Sequence, residues 1–166
     1  KVGEQTANKI SRQSSVRGTK IHGVCEDYLN NKELDTKMLS FVEEDMFDNM
    51  RLYLDKIDNI HAIEQFLYSN HLRLAGQADC IAEFEGKLSI IDFKTSAKPK
   101  TKSYIKNYFA QCAGYAIMFE ERTGIPITNS VIIIGVANEE PQLFVEHRDN
   151  YTDYLLECRD LYENNA

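Results

Sequence analysis

The sequence lacks any apolar run that approaches the roughly 20 residues a helix needs to cross a bilayer. It also lacks internal repeats, low-complexity stretches and long linkers rich in glycine, serine or proline. These absences argue against membrane-spanning and repeat architectures. They predict a single domain over residues 1–166, with a helical part at 1–58 and a sheet-and-helix core at 59–166.

Paired cysteines are a further absence. Cys25, Cys80, Cys112 and Cys158 lie far apart, with no CxxC pair among them. That spacing argues against a zinc ribbon and against a disulfide scaffold. We interpret the four as reduced cysteines that act as small apolar residues. The spacing alone leaves an iron–sulfur cluster open, because its ligands can converge from distant positions.

The charge is acidic in sum but uneven along the chain. The formal net charge is −7, which alone disfavours binding to nucleic acid. Residues 1–25 nevertheless carry five lysines and arginines against the single Glu4, and residues 93–119 carry five lysines and no acid. The acids concentrate in residues 26–92 and 120–166. We interpret the two basic segments as a surface that holds a polyanion while the remaining surface stays acidic.

Hydrophobic spacing predicts a mixed order of helices and strands. Helical periodicity runs through residues 1–58, with Thr19 as a predicted N-cap. Three strand patterns follow over residues 59–96, with a tight turn at 85–87. The next helix ends at Gly124, and two further strands and an amphipathic helix complete the chain. This order predicts a central sheet that is covered by helices.

The stretch GQADCIAEFEGKLSIIDFKTS, residues 76–96, places charged side chains on two neighbouring apolar strands. Asp92 and Lys94 are two residues apart, so both project from one face of their strand. The turn near Gly86 makes the preceding strand an antiparallel neighbour and puts Asp79 nearly opposite Asp92. Two carboxylates that close repel each other unless a divalent cation bridges them, and hard oxygen ligands suit magnesium or manganese. A lysine beside such a metal can polarise the attacking water or neutralise charge on a phosphate.

Each of these features also has a purely structural interpretation, and the spacing alone leaves both open. Asp92 and Lys94 can form a structural ion pair on an exposed sheet. Gln111 and Tyr115 share one face of the helix after the lysine-rich loop, where a glutamine can equally be a packed core residue. His22 lies beside apolar residues on a helix and can pack there instead of binding a metal. The stretch TSAKPK can be an exposed loop that binds no ligand.

Four motifs occur together in a fixed order: RGTKIH, then GQAD, then IDFKTS, whose Asp92 lies thirteen residues after Asp79, then QCAGY. This arrangement resembles the PD-(D/E)XK nuclease superfamily. Within it the chain is similar to the RecB-like exonucleases, in particular the mitochondrial genome maintenance exonucleases and their phage-encoded relatives. The resemblance covers about residues 17–162. It implies an α/β fold with a restriction-endonuclease-like core, in which helices flank a central mixed sheet and a helical part precedes it.

The resemblance also implies roles for individual residues. The implied metal ligands are His22, Asp79 and Asp92. Lys94 is implied as the catalytic lysine, and a QxxxY motif in the following helix supports this lysine and the substrate phosphate. The implied catalytic set is therefore Asp79, Asp92, Lys94, Gln111 and Tyr115. The implied contacts to the DNA backbone are Arg17, Thr95, Ser96 and Lys98.

Two features lie outside this pattern. Glu64, on the strand before Asp79, can be a further acid of the metal site, but we favour a surface glutamate. No cysteine cluster follows Tyr115, so the cysteine arrangement of the iron–sulfur branch is missing. We therefore expect Mg²⁺ or Mn²⁺ as the cofactor and no iron–sulfur cluster.

These inferences predict a metal-dependent DNA exonuclease that hydrolyses phosphodiester bonds from single-stranded DNA ends. The alternatives are a structure-specific or restriction-like endonuclease of the same superfamily and a non-catalytic subunit that binds DNA ends. We expect a monomer whose partner is DNA, with replication or recombination proteins as further partners and no membrane association. The expected location is the cytoplasm of a bacterial host, for a phage-encoded enzyme, with the mitochondrial matrix as the alternative.

Overall fold

The computed structural model describes residues 3–165. Within that range the strands form one five-stranded sheet in the order β1-β2-β3-β4-β5. The strands are β1 (Ile57–Ser69), β2 (Leu74–Phe84), β3 (Lys87–Ser96), β4 (Asn129–Val136) and β5 (Gln142–His147). The helices are α1 (Glu4–Leu29), α2 (Phe41–Leu54), α3 (Lys106–Thr123) and α4 (Thr152–Asn165), with short 3₁₀ helices at Lys102–Ile105 and Arg148–Tyr151. This order confirms the predicted α/β fold with helices before the sheet.

The first helix is longer than the sequence predicts. It begins at Glu4 with Gly3 as its N-cap, so Thr19 lies in the helix interior and the prediction of Thr19 as an N-cap is wrong. The Thr19 hydroxyl instead donates a hydrogen bond to the carbonyl oxygen of Ser15, at 3.2 Å. No proline interrupts the segment, and a glycine such as Gly18 costs a helix interior only about 1 kcal/mol relative to alanine.

The hairpin of β2 and β3 follows the prediction. Its two turn residues, Glu85 and Gly86, both have positive φ, at 48° and 80°, which is the backbone conformation that closes a tight two-residue hairpin. The strands pair antiparallel, with Phe84 opposite Lys87 and Cys80 opposite Ile91. The short turn therefore fixes which side chains of the two strands lie opposite each other.

Two other boundaries depend on local chemistry. Helix α2 begins with a reciprocal capping box, in which the Ser40 hydroxyl accepts from the Glu43 amide and the Glu43 carboxylate accepts from the Ser40 amide. Helix α3 ends at Gly124 as predicted, because this glycine adopts the left-handed conformation with φ of 72°.

The contacts divide the chain into two compact units. The first contains the residues up to Asp55 together with segments 93–99 and 133–142. In it, α1 and α2 are joined by an ion pair between Lys20 and Glu43, at 3.0 Å. The second unit contains residues 56–92, 100–132 and the chain from 143 onward. In it, α3 packs against β1 and β2 and contacts α4.

No helix in the described part of the chain combines the length and the apolar character that crossing a membrane requires.

Candidate active site

Three carboxylates lie in register on three neighbouring strands. The ladder that pairs Cys80 with Ile91 continues by one step to place Asp79 on β2 opposite Asp92 on β3. On the other side of β2, Ile63 pairs with Cys80 and Gln65 pairs with Ala78, which places Glu64 on β1 opposite Asp79. Side chains directly opposite each other in antiparallel strands have Cβ atoms about 5 Å apart. The sheet therefore aligns three acids in one row.

Glu64 is the member of this row that the sequence suggested as a further acid of the metal site but that we preferred to place on the surface. Its backbone adopts the left-handed conformation, with φ of 54°, which is uncommon for a residue other than glycine and strained within a strand. One of its carboxylate oxygens lies within 4.8 Å of a carboxylate oxygen of Asp79. Two oxygens at that separation can share one cation. The preference for a surface glutamate is therefore not supported by the geometry, and no sequence pattern signals the unusual backbone.

Asp92 is nearly buried, with 2% of its surface exposed, although it lies only two residues before the half-buried Lys94. A carboxylate so deep in a sheet is costly unless charged or hydrogen-bonding groups compensate for it. Alternation does not cause this difference, because the side chains of Asp92 and Lys94 both project from one face of β3. Ile91 and Phe93 are also buried, so the strand is covered on both faces around Asp92. Lys94 lies where that cover ends.

In the first unit, α1 positions His22 against the same stretch of β3. The Nε2 atom of His22 lies 2.5 Å from the backbone carbonyl oxygen of Phe93, the residue between Asp92 and Lys94. Because a carbonyl oxygen can only accept, Nε2 donates the hydrogen and the neutral ring carries its lone pair on Nδ1. Histidines that bind metals commonly donate their other ring N–H to a backbone carbonyl in this way.

The structure joins Gln111 and Tyr115 on α3, as the QxxxY spacing predicts. The Nε2 of Gln111 donates to the Tyr115 hydroxyl at 3.0 Å. The Tyr115 ring packs so closely on β2 that a Cβ atom added to Gly76 would lie 2.8 Å from its Cε1 atom. This contact explains the glycine of the GQAD motif, because only a residue without a side chain leaves room for the tyrosine.

The predicted DNA-contact residues differ in exposure. A Cβ atom added to Gly18 would lie 3.7 Å from the Thr95 hydroxyl, so the α1 segment that carries Arg17 passes Thr95 at the end of β3. Lys98 is exposed. Ser96 is buried, and its hydroxyl donates to the Lys98 carbonyl at 2.5 Å. The geometry gives Ser96 a role in shaping the turn after β3, and its contact to DNA stays a prediction.

Cys80 follows Asp79 on β2 and is fully buried in the core. Burial, with a smaller contribution from the charge of Asp79, raises the pKa of Cys80 to about 12. The thiol is therefore protonated at neutral pH and acts as an apolar core residue. This matches our interpretation of the cysteine at this position.

The donor set fits a hard divalent cation. It consists of carboxylate oxygens on adjacent strands, and magnesium and manganese prefer such ligands. Three negative charges in one row repel each other, and a bound cation relieves that repulsion. Lys94 lies two residues from Asp92, and its positive charge would repel a cation that bound there alone. The arrangement suits an anionic substrate, which would contact both the cation and Lys94.

Residues 4–142 match the model of the PD-(D/E)XK nuclease superfamily, and the chain belongs to that superfamily. Mitochondrial genome maintenance exonuclease 1 from Homo sapiens is 28% identical over 100 residues, which cover 60% of this chain and 29% of that protein. The Xenopus tropicalis protein of that name is 26% identical over 145 residues, covering 84% of this chain and 41% of its own length. The chain thus spans less than half the length of these relatives.

The fold is also similar to that of a solved structure. A candidate exonuclease from Eubacterium rectale superposes with a TM-score of 0.60 at 13% sequence identity, over 90% of this chain and 65% of that one. At this identity the likeness supports the fold and not the activity. The family assignment and the fold therefore agree.

Proposed function

We propose that this chain is a Mg²⁺- or Mn²⁺-dependent exonuclease that hydrolyses DNA from single-stranded ends. The observation that carries the proposal is the row of Glu64, Asp79 and Asp92 that follows from the strand pairing, with Lys94 further along β3. Within this row, carboxylate oxygens of Glu64 and Asp79 lie within 4.8 Å of each other. The exonuclease relatives support the reaction class. Products with a 5′-phosphate and a 3′-hydroxyl are what the superfamily resemblance implies.

The chain's own residues have distinct parts in this proposal. Asp79 and Asp92 would hold the ion with Glu64, and His22 would add a nitrogen ligand through Nδ1. A bound divalent ion polarises the scissile phosphate and makes water a stronger acid. Lys94 would orient the attacking water or neutralise the negative charge that develops on the phosphate. Gln111 and Tyr115 would hold the phosphate and the lysine in place.

The test uses end-labelled linear and circular single-stranded DNA with Mg²⁺, Mn²⁺ or EDTA. Wild type should degrade only the linear strand, and only with metal. Lys94→Ala should lose this activity by at least about 100-fold, the scale of a lost general acid–base or charge-stabilising group. The matched control is Lys87→Ala, which removes an exposed lysine at the other end of the same strand.

The other outcomes separate the alternatives. Cutting of the circular strand would establish an endonuclease of the same superfamily. DNA binding without hydrolysis in any metal would establish a subunit that binds DNA ends. An equal loss in Lys87→Ala and Lys94→Ala would contradict the catalytic role of Lys94. The monomeric state, the protein partners and the cellular location stay predictions from the sequence.

A further inference from the structure

Two aromatic side chains stand exposed on β1, the edge strand of the sheet. Phe66 has 62% of its surface exposed and Tyr68 has 43%, whereas Leu67 between them has 5%. Side chains two residues apart on a strand share a face, so the two rings lie on one face and Leu67 on the other. Burial of apolar surface is favourable by about 25 cal/mol per Å². A ligand that covered the exposed Phe66 ring would gain this free energy on binding.

This aromatic pair lies on the same face of the sheet as the row of acids and extends along β1 from the Glu64 end of that row. Phe66 pairs with Gln77 and Tyr68 with Ala75, and these two residues of β2 lie on the same face as Asp79, which follows Gln77 by two. Phe66 is therefore a diagonal neighbour of Asp79, at a distance of about 7–8 Å. The first of the two rings, Phe66, therefore lies two residues along β1 from Glu64.

A cation lies at the far end of the pair. The guanidinium carbon of Arg122 lies 4.2 Å from the centroid of the Tyr68 ring, a distance typical of a cation–π contact. Arg122 also forms an ion pair with Glu121, at 2.8 Å. Along this face, a ligand that extends from the acids would contact first the exposed ring of Phe66, then the ring of Tyr68, and then the guanidinium of Arg122.

We propose that Phe66 and Tyr68 form a base-stacking subsite for single-stranded DNA, with Phe66 against the nucleotide next to the scissile phosphate and Arg122 near a phosphate further along. The inference rests on the proposed function, and it specifies single-stranded DNA as the form of the substrate that the active site selects. Residues two apart on a strand are separated by about 6.6–6.8 Å, which is twice the rise of about 3.4 Å between bases. Two rings at that spacing match two consecutive bases that are no longer stacked on each other.

The same geometry explains a preference for single strands. A base within a duplex is stacked on both faces and paired, so it can reach Phe66 only after unstacking, which costs a few kcal/mol. Single-stranded bases present open faces, and stacking on aromatic side chains tolerates any sequence because every base has such a face. Phe66 would therefore select the form of the DNA and not its sequence.

Tryptophan fluorescence tests the contact directly, because the chain contains no tryptophan. We would place Phe66→Trp in a Lys94→Ala background, which prevents cleavage, and titrate it in Mg²⁺ with oligothymidine. Stacking should quench the fluorescence at the oligonucleotide concentrations at which anisotropy shows binding. The control is Phe41→Trp in the same background, since Phe41 on α2 is also exposed, at 87%, and should not be quenched. Binding without quenching at position 66 overturns the proposal.

Affinity provides the second measurement. Phe66→Leu keeps an apolar side chain but removes the ring, and it should weaken binding of oligothymidine about 5- to 150-fold. Phe66→Tyr should restore the affinity. An oligonucleotide with abasic positions should bind wild type and Phe66→Leu equally, because it has no base to stack there. Equal weakening on the abasic strand would mean that Phe66 acts through folding or phosphate contacts, and this would overturn the proposal.

The outcomes also separate this inference from the proposed function. A wild type that degrades linear strands while Phe66→Leu binds them normally leaves the nuclease standing and removes the stacking subsite. A wild type that degrades no DNA while Phe66→Trp is quenched removes the nuclease and leaves a subsite for single strands. A change of oligomeric state in Phe66→Leu, with unchanged DNA affinity, would show that the aromatic pair docks protein instead.

Discussion

At the scale of single residues, Glu64 is a candidate metal ligand with an unusual backbone conformation. Its left-handed backbone costs about 1–3 kcal/mol, and such strain persists only where the surrounding structure imposes it. The neighbours Ile63 and Gln65 keep their pairing with β2, so the strain is confined to one residue. The same pairing already puts Glu64 opposite Asp79, and a carboxylate oxygen of each residue lies within 4.8 Å of the other.

Metal binding tests the role of Glu64 without reference to catalysis. Glu64→Gln keeps the shape of the side chain but removes its charge, and we expect the affinity for Mn²⁺ to fall at least about tenfold, or about 1.4 kcal/mol. Isothermal titration calorimetry in the absence of DNA measures this. Glu83→Gln is the control, because Glu83 lies on the same strand and face as Asp79, four residues away. Equal affinities for Mn²⁺ in wild type and Glu64→Gln would show that Glu64 is not a ligand.

At the scale of elements, the hairpin shows what can be predicted from the sequence. Alternation with a period of two and the short turn at Glu85 and Gly86 are enough to predict Asp79 opposite Asp92. The observed pairing from Phe84 and Lys87 to Cys80 and Ile91 has the register that this placement requires. The QxxxY pair was predictable for a similar reason, since residues four apart on a helix are neighbours. Short-range geometry of this kind is determined by spacing alone.

Other features depend on long-range contacts and were not predictable. The register of β1 shifts between Asp58 and Ala62, where Asn59 has a positive φ of 44°. An asparagine tolerates this conformation, but its presence does not predict a shift in strand pairing. Glu64 could not be aligned with Asp79 without it. The contact of Tyr115 with Gly76 joins residues 39 positions apart, so no local pattern shows that position 76 must lack a side chain. Tertiary packing therefore determines both the register of β1 and the need for a glycine at position 76.

The start of α2 provides a prediction about stability. Partial burial raises the pKa of Glu43, but hydrogen bonds from the Ser40 amide and hydroxyl and from the Lys20 ammonium outweigh it, so the pKa is held below its ordinary value of 4.5. A lowered pKa means that the ionised carboxylate stabilises the folded state. That contribution is present above the ordinary pKa and is lost as the pH falls through the lower folded value.

Urea unfolding at a series of pH values checks this sign. Wild type should be more stable than Glu43→Gln near neutral pH, and the difference in free energy of unfolding should shrink as the pH falls below about 4.5. Glu44→Gln serves as the control, because Glu44 lies in the same first turn but is exposed. A difference that stays constant with pH would mean that the charge of Glu43 does not stabilise α2.

At the scale of the whole molecule, the basic residues are clustered although the net charge is negative. The chain is acidic, with a net charge of −7, yet the basic helix α1 and the segment 93–99 belong to the same compact unit. Part of the positive charge of the two basic segments, residues 1–25 and 93–119, is neutralised locally, since Lys20 forms an ion pair with Glu43 and Lys102 with Glu146. Lys9, Arg12 and Lys98 are exposed and remain in contact with solvent.

We therefore expect exposed basic residues of this unit to bind the phosphates of the DNA strand and to release counterions as they do so. The logarithm of kcat/KM on long single strands should fall linearly with the logarithm of the salt concentration, with a slope of about −0.7 for each phosphate that is neutralised. Lys98→Ala should make this slope shallower by about 0.7 and lower kcat/KM most strongly at low salt. The effect on kcat at saturating DNA should be small, because the contact positions the strand and does not touch the reacting bond.

The matched control for the salt series is Lys37→Ala, which removes an exposed lysine of the same unit from the loop between α1 and α2. It changes the net charge by the same amount, so any difference between the two variants reports position and not total charge. A slope near zero in wild type would show that the basic segments do not contact the strand. Identical slopes in the two variants would mean that the strand responds only to the overall field of the molecule, and Lys98 would then have no contact of its own.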